Sequence, residues 1–428
     1  MSRRIWFAVA GSLVLGALAV AVSGCTTQAA LGSDLVPGGK PAQGASAVVG
    51  EQLPRAINDF GLDLLKTTAA SAKANSNVIV SPLSVDAALS MTANGATGET
   101  AKQMSAVLRT SSFDPTGLNG QWAALLSGLA SRSADQELDI ANALFANKSV
   151  AFKQPFLDAD RNSFGAQVST YDPAKDDVLG LVNGWVSKNT KGMIPTILDK
   201  VDPAAILFLA NAVYFKGDWV TAFDHNSAPK QTFTRADSSA VDVDMMHSGG
   251  ALPYAENNSL QATKLLYKGL DASYYVMLPR DGVTLDAALA SLEGTGFSDL
   301  RTALGAPNLG DVILALPKLD TGFSTSLAKT LSDMGMPRAF DANQAEFSGM
   351  ADLSQPIYIG DVLHKTKVKV DEKGTEAAAA TVVEMYSGTA APVAAPPQII
   401  CNRPYLFAIV DEKTGTMLFL GAVGDPTK

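Results

Sequence analysis

One connection in this sequence restricts the fold more than any other feature. A strand-like run covers residues 364–370, and the next apolar segment holds Ile399, Ile400 and Cys401. About thirty residues lie between them, which is rare inside a compact domain unless the segment is functional or disordered. Its first half does not read as loop. With a period of two, Thr375, Ala377, Ala379, Thr381, Val383 and Met385 share one face. Glu376, Ala378, Ala380, Val382, Glu384 and Tyr386 share the other. The first face is small or apolar throughout, and both glutamates stand on the second. That is the pattern of a half-buried strand, although a run of alanines has poor strand propensity and locally favours helix. Small residues suit a strand that must slide between neighbours already in place. Helix and disordered linker are the plainer readings, and neither needs both glutamates on one strand face.

The rest of the chain supplies a body for that segment. At about 150 residues per domain, 428 residues suggest two or three domains. No linker is found beyond the N-terminal tether, so residues 53–428 read as one large domain. Apolar residues make up 47% and charged residues 18%, enough for an extensive core. The net charge of −9, with no dense Lys/Arg cluster, excludes counterion-driven nucleic-acid binding. Two cysteines exclude a disulfide scaffold and a Cys-rich metal site. Three histidines, His225, His247 and His364, leave little for a His-rich one.

Residues 1–24 read as an export signal. Arg3 and Arg4 precede an apolar run, 5–22, that ends in Val22-Ser23-Gly24-Cys25. The ending looks like a bacterial lipobox, which implies cleavage before Cys25 and its acylation. Lipid would then hold the protein to the membrane without a spanning helix. The alternative is an uncleaved anchor, since the apolar run nearly suffices to span. Residues 25–52 are rich in Gly, Ala, Ser, Pro and Gln up to about Val49 and read as a flexible tether.

Helices and strands are intermixed without regular βα alternation, so the fold class is α+β with several antiparallel strands. Residues 56–70 carry Ile57, Phe60, Leu64 and Leu65 at helical spacing. The apolar run 77–80 is followed by Ser81-Pro82, a helix start, and another helix runs from Gly98 to Leu108. The runs 138–145 and 205–214 are expected to be buried strands. Further strands are expected at 274–278, 312–316 and 364–370, and a hairpin at 406–410 and 417–423 with Gly415 in its turn.

Enzyme motifs are weak. Ser326-Leu327-Ala328-Lys329 with Lys413-Thr414-Gly415 resembles a penicillin-binding enzyme's SxxK and KTG, but no Ser-Asp-Asn lies between them. Leu327 and Leu331 put Lys329 on an ordinary amphipathic helix, and the second triplet is the hairpin turn. Cys401 reads as a small buried hydrophobe rather than a nucleophile. His247 and His364 read as structural hydrogen-bonding histidines.

Five collinear stretches then carry a family resemblance. They are Asn77-Val78-Ile79-Val80-Ser81-Pro82-Leu83-Ser84 with 94–100; Asn211-Ala212-Val213-Tyr214-Phe215-Lys216-Gly217-Asp218-Trp219; Val362-Leu363-His364-Lys365 with 374–380; Pro404-Tyr405-Leu406-Phe407; and Leu418-Phe419-Leu420-Gly421. The chain resembles a serpin over nearly all of residues 53–428. The resemblance implies a serpin fold of three β-sheets, eight or nine helices and an exposed reactive-centre loop at about 374–403. It implies an inhibitor, not an enzyme: a protease cleaves the bait loop, and the loop inserts into the central sheet with the acyl-enzyme attached. Gly374, Thr375, Glu376, Ala377, Ala378, Ala379 and Ala380 match the hinge, with Gly374 as pivot. Ser81, Ser84, Asn211 and His364 match the shutter beneath the sheet.

The family's usual interval from the hinge glycine gives a reactive bond at Gly388-Thr389. The loop is several residues longer than usual, so Tyr386-Ser387 and Met385-Tyr386 are alternatives. No Lys or Arg occurs between Lys373 and Arg403, and trypsin-like proteases need one. An elastase-like or chymotrypsin-like serine protease is the expected partner, with a papain-like cysteine protease as the alternative. The rival expectations are a non-inhibitory serpin acting as a binding module and a lipid-anchored solute-binding protein. A monomer is expected, outside the cytoplasm, anchored through Cys25 or secreted, with no cofactor, metal or nucleic acid.

Overall fold

The structure, a computed structural model, describes residues 49–130, 135–202, 205–223, 228–306, 309–352, 357–375 and 395–428. The chain opens with α1 (Gln52–Ala70), β1 (Val78–Val80), α2 (Pro82–Ala93), α3 (Gly98–Val107) and α4 (Pro115–Ala130). Next come β2 (Gln136–Asn147), α5 (Gln154–Phe164), β3 (Gln167–Tyr171), α6 (Val178–Asn189) and β4 (Leu207–Asp218). Then follow β5 (Lys230–Thr234), β6 (Ala240–Glu256), β7 (Leu260–Leu266), β8 (Ala272–Pro279), α7 (Leu285–Ala290) and α8 (Gly296–Gly305). The last third holds β9 (Leu309–Pro317), β10 (Leu319–Ser326), α9 (Ala328–Asp333), a 3-10 turn at Pro337–Phe340 and β11 (Leu363–Val370). It ends with β12 (Gly374–Thr375), β13 (Gln398–Ile400), β14 (Tyr405–Asp411) and β15 (Met417–Val423).

Local chemistry explains the element ends that matter here. Ser81 is extended, and its hydroxyl accepts the Ser84 N–H at the start of α2, with Pro82 at the first helical position. Gly415, at φ 76°, makes the turn that joins β14 to β15. Ile57, Phe60, Leu64 and Leu65 of α1 are all fully buried, as their spacing requires.

The strands form three hydrogen-bonded sheets. Nine strands run β1-β15-β14-β8-β7-β6-β9-β13, with β5 also on β6. The 17-residue β6 joins β5, β9 and β7 in turn along its length, which is how one strand connects two halves of that sheet. A four-stranded sheet has the order β12-β4-β2-β3, and β10 pairs with β11 alone. Helix α2 packs between β15 and the back of β4.

Two expectations need correction. The runs 138–145 and 205–214 are strands, but neither is buried along its whole length. Leu138 and Ile140 of β2 are half-buried, and β4 alternates between half-buried and buried positions. The cause is uneven cover. On this sheet's outer face α6 and the segment after it bury Ala143, Phe145 and Ala210 in a small satellite core, while Leu138, Ile140 and Val213 sit at the edge of the main one.

Candidate functional site

The site is the boundary between β4 and β11. Along one edge β4 pairs antiparallel with β2 from Leu207 to Gly217. On its other side, among the described residues, it pairs only with β12, through Gly374↔Asp218 and Thr375↔Gly217. Strand β11 pairs with β10 over its full length. Among the described residues no backbone hydrogen bond joins β4 to β11. At the Asp218 end of β4, β12 stands beside both strands, paired with β4 and in contact with β11.

Gly374 is where the chain enters. A Cβ there would lie 2.2 Å from the Gly217 carbonyl oxygen and 2.7 Å from the Asp218 Cα, so no side chain fits. The mouth is clamped by an indole. The Trp219 N–H donates to the Lys373 carbonyl at 2.8 Å, and its Nε1–H to the Asp371 carbonyl at 3.0 Å. The Trp219 ring stacks on Tyr267 at 4.5 Å. Lys318 Nζ lies 2.5 Å from the Glu372 carboxylate, which is nearly buried while the lysine is partly exposed.

Deeper down, the first turn of α2 holds both sides. Ser81 donates its backbone N–H to His364 Nε2 on β11 at 3.1 Å, and its hydroxyl to the Leu418 carbonyl at 2.7 Å. Ser84 donates its hydroxyl to Asn211 Oδ1 on β4, and Asn211 donates to Asn142 Oδ1 on β2 at 2.7 Å. The Ser81 hydroxyl accepting the Ser84 N–H joins the two branches. In front, Lys365 Nζ of β11 donates to the Thr196 carbonyl at 2.9 Å, tying the segment after α6 across the boundary.

Burial holds His364 neutral, with its pKa lowered to about 4. A folded pKa below the ordinary 6.5 means that this contribution is complete above pH 6.5 and is lost as pH falls toward 4. Burial raises Asp86 to about 7 and Asp160 well above its usual range, so those groups act in the opposite direction on acidification. The His364→Gln variant keeps an acceptor that does not titrate. Relative to it, the parent should lose about 2 kcal/mol of stability between pH 8 and pH 5, read from chemical unfolding at each pH. An identical pH profile for the two proteins would contradict the neutral, buried histidine.

Ser81, Ser84, Asn211 and His364 thus meet at one place, and Gly374 and Thr375 enter at the mouth. Glu376 and 377–380, all three candidate reactive bonds and Cys25 lie outside the described residues. Sequence reasoning did not single out Trp219, Lys318 or Glu372 as site residues. The enzyme-like motif has ordinary partners: Ser326 donates to Asp361 at 2.5 Å, and Lys329 pairs with Asp333 at 2.6 Å. Cys401 is fully buried, and burial pushes its thiol far up. His247 shares a hydrogen bond of 2.9 Å with Gln231, and His225 lies outside the described residues.

A family model described as "Serpin (serine protease inhibitor)" matches residues 55–426. The chain belongs to the serpin family. Its fold, with nine α-helices and three sheets among the described residues, is the serpin fold. An uncharacterized serpin-like protein of Thermococcus kodakarensis is 33% identical over 384 residues, covering 88% of this chain and 87% of that protein. The native-state crystal structure of tengpin, a thermophilic serpin, matches with a TM-score of 0.78 at 29% identity, covering 89% of this serpin and 96% of tengpin. Human thyroxine-binding globulin in complex with thyroxine matches with a TM-score of 0.77 at 25% identity, covering 88% of this serpin and 99% of the globulin. Serpins are generally protease inhibitors rather than enzymes, and some are non-inhibitory.

Proposed function

We propose that this serpin is a suicide inhibitor of serine proteases. It offers residues 374–403 as bait, is cleaved there, and takes the freed segment into the sheet between β4 and β11 with the acyl-enzyme attached. The register of Gly374 and Thr375 carries this reading. Continued along β4, the pairing brings positions 377, 379 and 381 opposite Phe215, Val213 and Asn211. On the other side the turn is closed by the Asp371 N–H donating to the Gly374 carbonyl at 3.0 Å. Continued along β11, it brings the same positions opposite Val368, Thr366 and His364. Phe215, Val368, Thr366 and His364 are buried. Ala377, Ala379 and Thr381 would therefore turn inward, and all are small. Thr381 would meet Asn211 and His364, the two ends of the polar pins on α2. About ten new ladder hydrogen bonds at about 1 kcal/mol each supply on the order of 10 kcal/mol of drive.

Hinge residues 374–380, shutter residues Ser81, Ser84, Asn211 and His364, and the reactive bond Gly388-Thr389 belong to this proposal. A bait at Gly388 selects an elastase-like enzyme, and one at Tyr386 a chymotrypsin-like enzyme. Acylation of Cys25 would hold the inhibitor on the outer face of a bacterial membrane. The likeness to thyroxine-binding globulin favours a second reading, a non-inhibitory binding module. One experiment separates the two. The domain is incubated with pancreatic elastase, chymotrypsin and trypsin in turn, then run on denaturing gels with mass spectrometry of the released peptide. A covalent band at the summed mass, with elastase or chymotrypsin and not trypsin, is expected. Cleavage without such a band, and without a rise in melting temperature, would favour the binding module.

A further inference from the structure

Helix α4 carries no ionisable residue, and the carboxyl that it helps to enclose has no cation beside it. That carboxyl belongs to Asp160 of α5, which is fully buried where α4 and α2 pack on α5. Asn94, at the end of α2, donates its Nδ2–H to Asp160 Oδ1 at 2.8 Å, and its Oδ1 accepts from the Asn119 amide of α4 at 2.9 Å. One turn further along both helices Trp122 packs on Phe164, with ring centroids 5.3 Å apart. Asp160 Oδ2 and the Trp122 indole N–H are enclosed in this junction, and among the described residues neither has a hydrogen-bond partner. The charged groups nearby are engaged elsewhere. On α5 Arg161 pairs with Asp158 at 3.3 Å, and ahead of it Lys153 pairs with Asp352 at 2.6 Å. Helix α2 brings one ionisable residue, Asp86, whose Oδ1 accepts from Ser90 at 3.0 Å. Ahead of α4, Asp114 accepts the Gly117 N–H at 2.9 Å. Strand β3 brings Tyr171, whose hydroxyl donates to the Ala205 carbonyl at 2.7 Å.

We propose that Asp160 is a proton-operated latch: protonated, it closes α5 onto α2 and α4, and ionised, it parts them. A carboxylate left in this junction would be buried with a single amide N–H for a partner, so it must reach water, and it does so by separating α5 from α4. Burial accordingly keeps the proton on Asp160 well above the usual carboxylate range. The sign follows from that. An acid whose folded pKa is raised stabilises the closed form fully below its ordinary 3.8, and this contribution is lost as pH rises toward the folded value. Between the two values the open fraction grows about tenfold per pH unit. The latch also touches the support of β4. Four residues beyond Asp160, the Phe164 carbonyl accepts from Asn142 Nδ2 at 2.8 Å, and Asn142 Oδ1 accepts from Asn211 of β4 at 2.7 Å. Opening α5 therefore loosens one end of the polar chain that reaches the β4 edge, whether or not the loop inserts.

The test compares the full-length parent with Asp160→Asn and Asp160→Leu, neither of which can ionise at this position. Amide hydrogen exchange of residues 154–164 is followed from pH 4 to pH 8, with the intrinsic pH dependence of exchange divided out. Relative to Asp160→Asn, the parent's exchange in α5 should rise by about tenfold or more between pH 5 and pH 7 and should match it at pH 4. Asp86 and His364 titrate in both proteins and cancel in the comparison. Trp122 gives a second readout. Its emission, taken as the difference between the parent and Trp122→Phe, should titrate with the same midpoint as α5 exchange, and that titration should vanish in Asp160→Asn. Identical exchange profiles for the parent and Asp160→Asn, or a Trp122 titration that survives the substitution, would overturn the proposal. Should neither variant fold, the parent decides alone: α5 exchange and Trp122 emission sharing one midpoint support the latch, and a flat profile for either contradicts it.

Discussion

The Ala379→Glu variant is expected to be cut by its target without trapping it. In the proposed inserted strand, position 379 would lie between Val213 and Thr366, on the inward face. A carboxylate there would be buried without a cation, which costs several kcal/mol of the roughly 10 kcal/mol that the proposed insertion would release. Slower entry lets the acyl bond hydrolyse first. The covalent complex should fall more than tenfold, measured as the fraction of protease trapped on a denaturing gel. The matched control is Ala378→Glu, one residue away on the outer face, in line with Lys367. It should keep most of the trapping. Identical chemistry at adjacent positions with opposite outcomes is what a period-two strand requires. Equal losses at 378 and 379 would exclude it.

A second large effect is expected at the mouth, and it should be asymmetric. Lys318→Met removes the cation from the Glu372 carboxylate, whose side chain is only 5% exposed. Taking one partner from a nearly buried ion pair costs about 3 kcal/mol. Glu372→Gln should cost only about 1 kcal/mol, because the Lys318 ammonium is 37% exposed and can turn to water. Chemical unfolding of both variants at pH 7 reads the difference. Equal destabilisation would mean that the pair acts by packing and not by charge.

The residues explain how much of this was legible in the sequence. Where structure is made by neighbours in the chain, reading succeeded: the helix start at Ser81-Pro82, the strand at 364–370, and the Gly415 hairpin. The period-two reading of the Ala-rich stretch falls on residues outside the described ones and stays an expectation. Reading failed where burial depends on what covers a sheet. The apolar runs of β2 and β4 look uniformly buried, but their cover comes unevenly from α6 and α2. The mouth was invisible for another reason. Lys318 meets Glu372 and Trp219 meets Asp371 only after folding, and no spacing rule links residues so far apart in the chain.

The most direct test of the account is amide hydrogen exchange on the domain before and after a single cut in the loop. The account predicts that amides on the facing edges of β4, residues 207–216, and β11, residues 363–370, exchange far more slowly after the cut, as a new strand takes up hydrogen bonds between them. Segment 376–385 should become protected together with them. Unchanged exchange along both edges, with no gain of protection in 376–385, would contradict insertion and remove the basis for inhibition by trapping.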